Sequence, residues 1–509
     1  MRGSFVGAPE ALGPEQFQRG PTAAASGFQQ SGIYIFLISF ACLYYLSNAT
    51  ILLGNTDLGW HLAAGDLIRA RGSIPVHDPW SFTSGGREWF NLSWLWDVLA
   101  SFLYQFSGLA GLLIGVVACG AIIAGYLTSI GLGSGASALA VCISVFAACL
   151  LYPSFATAPN SYLAASPNTA TMMFCVVFYG ECLKRTRWYL LPPLMALWVN
   201  LHGGFLIGFP LIGIFWAAAL LRKDWPGVKI YTLAGAGCAA AIFVNPLGWH
   251  IYDGVTATLG NFVQQHITEW LPYYRTMVVP GSLPGVVYML VFAALELRFR
   301  APCRIESRLL AWVFLFLGLH QFRYMSFFFI FSTVPLALNL ERLLAKRPAG
   351  PDLQRTLLAA GLACACALPL MFIYENPASG LPAIISKEEA GYIQTHFPHA
   401  RLLNHWNIGG PFIFYTRCAV PVFVDGRAAT VYPDPLLRDY FKLPEWTIDE
   451  AAWDSVIEKY NIDTVLWVRA HDSLRRFLVG KRGWTEKYDG TYVSVYVRPT
   501  QRPLQVPAH

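Results

Sequence analysis

Residues 108–130 read GLAGLLIGVVACGAIIAGYLTSI, 23 consecutive positions with no charged side chain. A helix needs about 20 apolar residues to cross a hydrocarbon core of ~30 Å. The stretch therefore reads as a transmembrane helix. Working outward, apolar runs of the same kind recur at 33–53, 136–152, 168–182, 188–201, 204–221, 229–247, 285–299, 308–321, 324–341 and 355–374. With 108–130 they make about eleven spans. Only LHGG (201–204) separates 188–201 from 204–221, which leaves a tight hairpin and a re-entrant pair both open. The composition agrees. Hydrophobic residues make up 55% of the 509 and charged residues 13%, against about 25% charged in a soluble chain. A soluble enzyme and a disordered scaffold are excluded. The net charge of +6 comes without a basic tract, so nothing points to nucleic acid.

Charge sets the expected orientation. Residues 1–32 form a polar N-terminal tail, and 33–53 reads as an uncleaved signal anchor. With the N-terminus inside, 16 of the 36 Lys and Arg fall on the inner face. Five fall in outer loops: Arg69, Arg71, Arg87, Arg275 and Arg323. The positive-inside rule then places the N-terminus in the cytoplasm. An odd number of spans puts the region 376–509, with the other 15 basic residues, on the extracytoplasmic side. That region reads as a small α/β domain, with strands at RLLNHW, PVFVDG, DTVLWV and TYVSVYV. Helices are predicted over 386–396 and 448–460, with Thr447 and Asp449 near an N-terminus. Ten of the 11 cysteines lie in apolar segments or their flanks and only Cys418 lies in the polar region, so no disulfide framework exists. The expected fold is a polytopic α-helical membrane domain (33–375) followed by an extracytoplasmic α/β domain.

The chemistry-bearing residues concentrate in the outer loops. In loop 54–91, Asp57 and His61 stand four apart, on one face of an amphipathic helix that also carries Trp60 and is expected to lie flat at the membrane interface. His77, Asp78 and, at the loop's end, Asn91 follow. Two acids and two imidazoles there suit proton acceptance or ion binding, while helix capping by Asp57 and a turn at Asp78 before Pro79 are the structural alternatives. His202 sits in LHGG, at a membrane boundary that suits an anionic ligand or a proton relay, with a hydrogen-bonded turn histidine as the structural alternative. Loop 248–284 carries ITEWLPYYR, in which Glu269, Trp270, Tyr273 and Arg275 mix an acid, a base and aromatic rings. That mixture suits a sugar, or an aromatic belt. Arg323, between two late spans, needs a partner: a carrier phosphate, which guanidinium binds in bidentate fashion, or a carboxylate such as Glu269. Asp425-Gly426-Arg427 reads as acceptor recognition or as a tight turn closed by an Asp–Arg pair. No phosphate-binding glycine loop, HExxH, CxxC pair or GxSxG is present, which argues against an ATP-driven pump and against the familiar membrane metalloproteases. No symmetry between halves speaks for a secondary transporter.

In this order the motifs resemble the polytopic GT-C glycosyltransferases, a bacterial class that includes protein mannosyltransferases and aminoarabinose lipid A transferases, and within it an uncharacterised branch. The matched residues are Asp57, Trp60, His61, Leu62 and Gly65; Ile74, Pro75, Asp78, Trp80, Ser81 and Phe82; and Trp198, Asn200, His202, Gly203, Gly204 and Phe205. They continue with Asn245, Pro246 and Gly248; Glu269 and Trp270; Arg323, Tyr324, Phe327 and Phe328; and, in the outer domain, Gly409, Gly410, Asp425, Gly426 and Arg427. The chain departs from the branch at Ser166-Pro167-Asn168, where an Arg-Pro is usual. The resemblance implies an enzyme of the bacterial inner membrane that takes a sugar from a polyprenyl-phosphate carrier and passes it to a glycan, lipid or protein acceptor. Carried over, Asp57 is the general base and inversion follows. His61 or Asp78 orients it, Arg323 and His202 hold the carrier phosphate, and Trp60, Asn91, Glu269, Trp270, Tyr273 and Arg275 line the substrate pocket. A divalent cation on Asp57, His61 and Asp78 is an open expectation. An oligosaccharide ligase or polymerase, and a non-enzymatic transporter or scaffold, are the alternatives.

Overall fold

The computed structural model describes residue 37 and residues 56–151, 165–259, 261–276, 283–344, 384–443, 448–469 and 472–499. Apart from Leu37, the predicted spans 33–53 and 355–374 lie outside these residues, as do the N-terminal tail and Thr447. Every other predicted span overlaps a helix, although 229–247 runs past a helix that ends at Ala241. Helix α1 (Leu58–Arg71) precedes α2 (Trp94–Gly133), α3 (Ala138–Leu151), α4 (Pro167–Lys184), α5 (Leu191–Leu201), α6 (Gly208–Leu221) and α7 (Trp225–Ala241). A short α8 (Ile251–Thr258) leads to α9 (Leu283–Phe299), α10 (Ile305–His320) and α11 (Met325–Leu344).

Three stretches among the described residues are long and apolar enough to cross a membrane: Trp94–Gly133, Gly203–Leu221 and Phe322–Leu344. The 40 residues of α2 are two helices joined at a kink, where Ser107 and Gly108 leave helical geometry and Gly108 takes φ +62°. The predicted span 108–130 begins at that kink. Helices α5 and α6 do not pack along each other. Each packs on α7, and the break between them is the extended residue His202 (φ −166°, ψ 142°). Where the helices end, several basic residues predicted on the inner side are paired: Arg308 with Glu296, Arg222 with Glu306, and Arg185 with Asp224. Glu296 also accepts from Asn339 at 2.5 Å.

The C-terminal segment packs helices on a four-stranded sheet. It contains α12 (Lys387–His396), β1 (Leu402–Asn404), α13 (Trp406–Thr416), α14 (Asp434–Tyr440), α15 (Glu450–Lys459), β2 (Thr464–Val468), β3 (Thr485–Asp489) and β4 (Val493–Val497). The strand order is β1-β2-β4-β3, with β1 parallel to β2 and the other pairs antiparallel. Strand β2 reads TVLWV without alternation because it is buried on both faces, whereas edge strand β3 alternates exposed and half-buried residues. Ser386 and Glu389 cap α12 reciprocally, and Asp449 caps α15 by accepting from the Ala452 amide. PVFVDG is not a strand of this sheet. Its Val422 instead forms a single parallel bridge with Ser81. Strand β3 (TEKYD) carries no strand signal in the sequence because its apolar content is low.

Two apolar cores result. One joins the long helices, and the other fills the C-terminal segment. The second core includes Trp60, Ala64, Trp80 and Trp89 of the first loop. Helix α1 therefore does not lie exposed at an interface. It is wedged between α2 and α13, with Leu58, Gly59, Trp60, His61, Leu62, Ala64, Gly65 and Ile68 buried.

Candidate functional site

Between the helices and the C-terminal segment lies a cavity of about 800 Å³, large enough for a small-molecule substrate. Asp57, Trp60 and His61 line it from the start of α1, and Asn91 from the end of the first loop. Ser166, Pro167 and Asn168 line it from the start of α4, and His202 from the α5–α6 break. Glu269, Trp270 and Arg323 come from two short turns, Thr268–Trp270 and Phe322–Tyr324, joined by a hydrogen bond from the Phe322 amide to the Leu271 carbonyl (2.9 Å). The C-terminal segment supplies Trp406, Asn407, Gly426, Arg427, Tyr440, Phe441 and Trp467.

Asp57 stands at the N-terminal end of α1, and its carboxylate makes no cap on that helix. Burial pushes its pKa up to about 6; Glu269 and Asp425 add to the rise, and His61 and Trp60 oppose it. Such a group changes charge close to neutrality, which is the property a general base needs. His61, one turn on, is stacked on Trp60 with ring centroids 3.6 Å apart. Its Nδ1 lies 2.6 Å from Asp97 Oδ1. Asp97 also accepts from Asn91 Nδ2 at 2.8 Å, so Asn91 both lines the cavity and braces this carboxylate. Asp97 was not singled out in the sequence. A lone acid in the apolar run LSWLWDVLASFL was the available signal, since an acid at membrane depth needs a reason.

His202 has a defined protonation state. Its Nδ1 accepts from the Gly204 amide at 3.2 Å and lies 2.7 Å from Thr171 Oγ1, which in turn accepts from Trp198 Nε1 at 2.9 Å. An amide N–H can only donate, so Nδ1 is the acceptor and the ring proton sits on Nε2. Burial, with the charges of Arg323 and His61, lowers the His202 pKa to about 3. The ring is thus a neutral N–H donor at the cavity wall. Arg323 lies over Trp270, its Cζ 3.8 Å from the ring centroid, which orients the guanidinium without neutralising it.

Four predicted site residues lie elsewhere. Asp78 is buried away from the cavity, where it accepts from the Trp80 amide (3.0 Å), the Ser81 amide (3.3 Å) and the Ser81 hydroxyl. This is the turn before Pro79, and its remaining capacity goes to Arg427 Nη1 at 2.7 Å. Asp425, also off the cavity wall, pairs with Arg427 at 2.7 Å. Tyr273 is buried and stacks on Phe322, with ring centroids 6.0 Å apart. Arg275 is exposed and off the cavity. With Asp78 held by Arg427, the triad Asp57, His61 and Asp78 does not converge as a cation site. Among the described residues, no group of three or more His, Cys, Asp or Glu gathers.

The sequence matches no protein-family model and no curated protein. Solved structures do match it. One is the Archaeoglobus fulgidus oligosaccharyltransferase in its apo form, at 13% identity and TM-score 0.54, covering 88% of this chain and 70% of that one. Another is the archaeal oligosaccharyltransferase AglB from Archaeoglobus fulgidus, in complex with an inhibitory peptide and a dolichol-phosphate, at 14% identity and TM-score 0.55, covering 95% of this chain and 76% of that one. The chain shares the fold of these two oligosaccharyltransferase structures. At this identity the likeness concerns the fold alone. Neither of these two structures is of the mannosyltransferase-like bacterial branch that the motifs resemble.

Proposed function

We propose that the protein is a membrane glycosyltransferase that moves a sugar from a polyprenyl-phosphate carrier to an acceptor on the extracytoplasmic face. The observation that carries this reading is the pairing, in one cavity, of a buried carboxylate poised near neutrality with an oriented guanidinium and a neutral imidazole N–H. A solved structure of like fold holds a dolichol-phosphate, which supports a lipid-phosphate donor. The outward placement of the C-terminal segment rests on the positive-inside charge pattern.

In this reading Asp57 takes the proton from the acceptor hydroxyl as its oxygen attacks the anomeric carbon. The bond from that carbon to the phosphate oxygen breaks, and the configuration inverts in this single displacement. Arg323 and the His202 Nε2–H meet the charge that grows on the departing phosphate. Being neutral, His202 donates to that oxygen without having to lose a charge of its own. His61, held by Asp97, fixes the face of α1 that carries Asp57. Trp60, Trp270 and Glu269 line the sugar path, Trp406 and Phe441 the opposite wall.

The test is release of polyprenyl phosphate by the purified protein in lipid vesicles supplied with undecaprenyl-phosphate hexoses or pentoses. Asp57→Asn is expected to slow it about 10²–10⁴-fold. Solute flux without sugar transfer would replace the enzyme by a transporter, and full activity of Asp57→Asn would remove the base.

A further inference from the structure

Asp425-Gly426-Arg427 stands at the seam between the first loop and the C-terminal segment, and neither of its acid–base partners reaches the cavity in a free state. The Arg427 side chain has no exposure. Its Nε (2.8 Å) and Nη2 (2.7 Å) donate to Asp425 and its Nη1 (2.7 Å) to Asp78, and its Cζ lies against the rings of both Trp80 and Trp89, 4.8 and 4.9 Å from their centroids. Two carboxylates neutralise one guanidinium, and little donor capacity is left for a ligand. Asp425 likewise spends its oxygens on Arg427 and on the Tyr432 hydroxyl (2.6 Å). The motif is therefore saturated internally, which is poor chemistry for recognising an acceptor.

The glycine between them is explained by Asp57. A side chain at Gly426 would overlap Asp57 Oδ1, and its Cβ would stand 2.6 Å from Asp57 Cγ and 3.2 Å from Oδ2. These three nearest atoms all belong to one carboxylate. Gly426 is not among the residues with positive φ, so its backbone does not demand glycine and the close approach does. Two further approaches close a ring around Asp57. A Cβ on Gly59 would lie 2.6 Å from the Pro411 nitrogen, against the Gly410 carbonyl, and a Cβ on Gly409 would lie 2.7 Å from Asp425 Cβ. Backbone hydrogen bonds across the seam hold the ring shut: Val422 to Trp80 (3.0 Å), Phe82 to Val422 (3.2 Å) and Phe90 to Thr430 (3.4 Å).

We propose that Asp425-Gly426-Arg427 is a positioning element for Asp57: Gly426 seats the carboxylate, and the Asp78–Arg427–Asp425 cluster holds Gly426 in place. The site is then complete only when the C-terminal segment is docked on the first loop. This inference rests on the proposed role of Asp57 as base, but the contact itself does not.

A double-mutant cycle on the full-length protein separates the two. Gly426→Ala is expected to lower Tm by about 2 °C or more and to reduce polyprenyl phosphate release at least 100-fold. In the Asp57→Ala background the same Gly426→Ala should leave Tm unchanged, because the atoms it strikes are gone. Equal Tm losses in both backgrounds would overturn the proposal, as would full activity of Gly426→Ala where Asp57→Asn is inactive. If Asp57→Asn is fully active while the Tm cycle is non-additive, the contact stands and the reading of Asp57 as base falls instead. Arg427→Gln with Asp78→Asn and Asp425→Asn removes all three charges of the cluster together, so it tests the clamp without an orphaned charge. It should lower release at least 10-fold at unchanged KM for the donor lipid, and a raised KM at unchanged kcat would assign the motif to substrate binding.

Discussion

His61 Nδ1 lies 2.6 Å from Asp97 Oδ1, and both side chains are buried. The carboxylate fixes the proton on Nδ1 and the plane of the ring, in the way an outer partner orients a metal-bound or catalytic imidazole. Asp97→Asn is expected to lower turnover about 10- to 100-fold and to cost about 1–3 kcal/mol of stability. Turnover and chemical unfolding of the same preparation check both figures. A variant as stable and as fast as the parent would make the pair incidental.

Asp57 sets the acid side of the pH profile. Burial holds its pKa at about 6, and only the carboxylate accepts a proton. Transfer should therefore fall about tenfold per pH unit below that value. Asp57→Asn should remove this limb and lower the rate about 10²–10⁴-fold. A limb unchanged in the variant would belong to another group.

Stability responds to pH in opposite senses at two residues. The Asp57 pKa is raised from 3.8 to about 6, so the folded state holds the proton more firmly. That contribution is full below about 4 and lost as pH rises through about 6. The His202 pKa is lowered from 6.5 to about 3, so the folded state resists the proton. Its contribution is present above about 6.5 and lost as pH falls toward 3. His202→Gln keeps an N–H donor without the titration and should flatten the acid-side fall in Tm. An unaltered Tm–pH curve would show that His202 titrates normally.

Arg323 combines charge with stacking on Trp270. Arg323→Lys keeps the charge but loses the planar fork and much of the stacking. It should raise KM for the donor lipid about 10-fold, equivalent to a cation–π loss of ~1–2 kcal/mol. Trp270→Leu should give a similar rise, and the double variant should add little to either. Independent, additive effects would separate the two residues.

The Arg427 cluster has no exposed side chain, so removing one member leaves a buried charge unmatched. Arg427→Met should cost about 3–5 kcal/mol, and Arg427→Met with Asp78→Asn and Asp425→Asn markedly less. Chemical unfolding of the two variants decides this, and a larger loss in the triple variant would contradict it.

Much of the fold was legible in the sequence. Transfer free energy adds residue by residue along a helix, so runs such as 108–130 announce themselves without a partner. The helix caps at Ser386 and Asp449 are local for the same reason. The polar residues around the cavity were also recognisable by type: Asp57, His61, His202, Glu269 and Arg323 all line it.

What local sequence does not carry is which residues meet across long separations. Asp78 and Arg427 are 349 positions apart, and nothing near either one tells a turn-forming acid from a catalytic one. Asp97 was hidden inside an apolar run, and its role became visible only when α1 brought His61 against α2. The thin apolar stripe of α1 read as a surface helix because Gly59 and Gly65 count for little in hydropathy. In the fold they are where backbones touch, Gly59 against Gly410 and Gly65 against Asp97. The sequence by itself determined a helical membrane chain with an α/β segment at its end, because burial of apolar surface is a local sum. Only the tertiary structure decided that Asp57 is seated by Gly426, because that contact depends on the path of the whole chain between them.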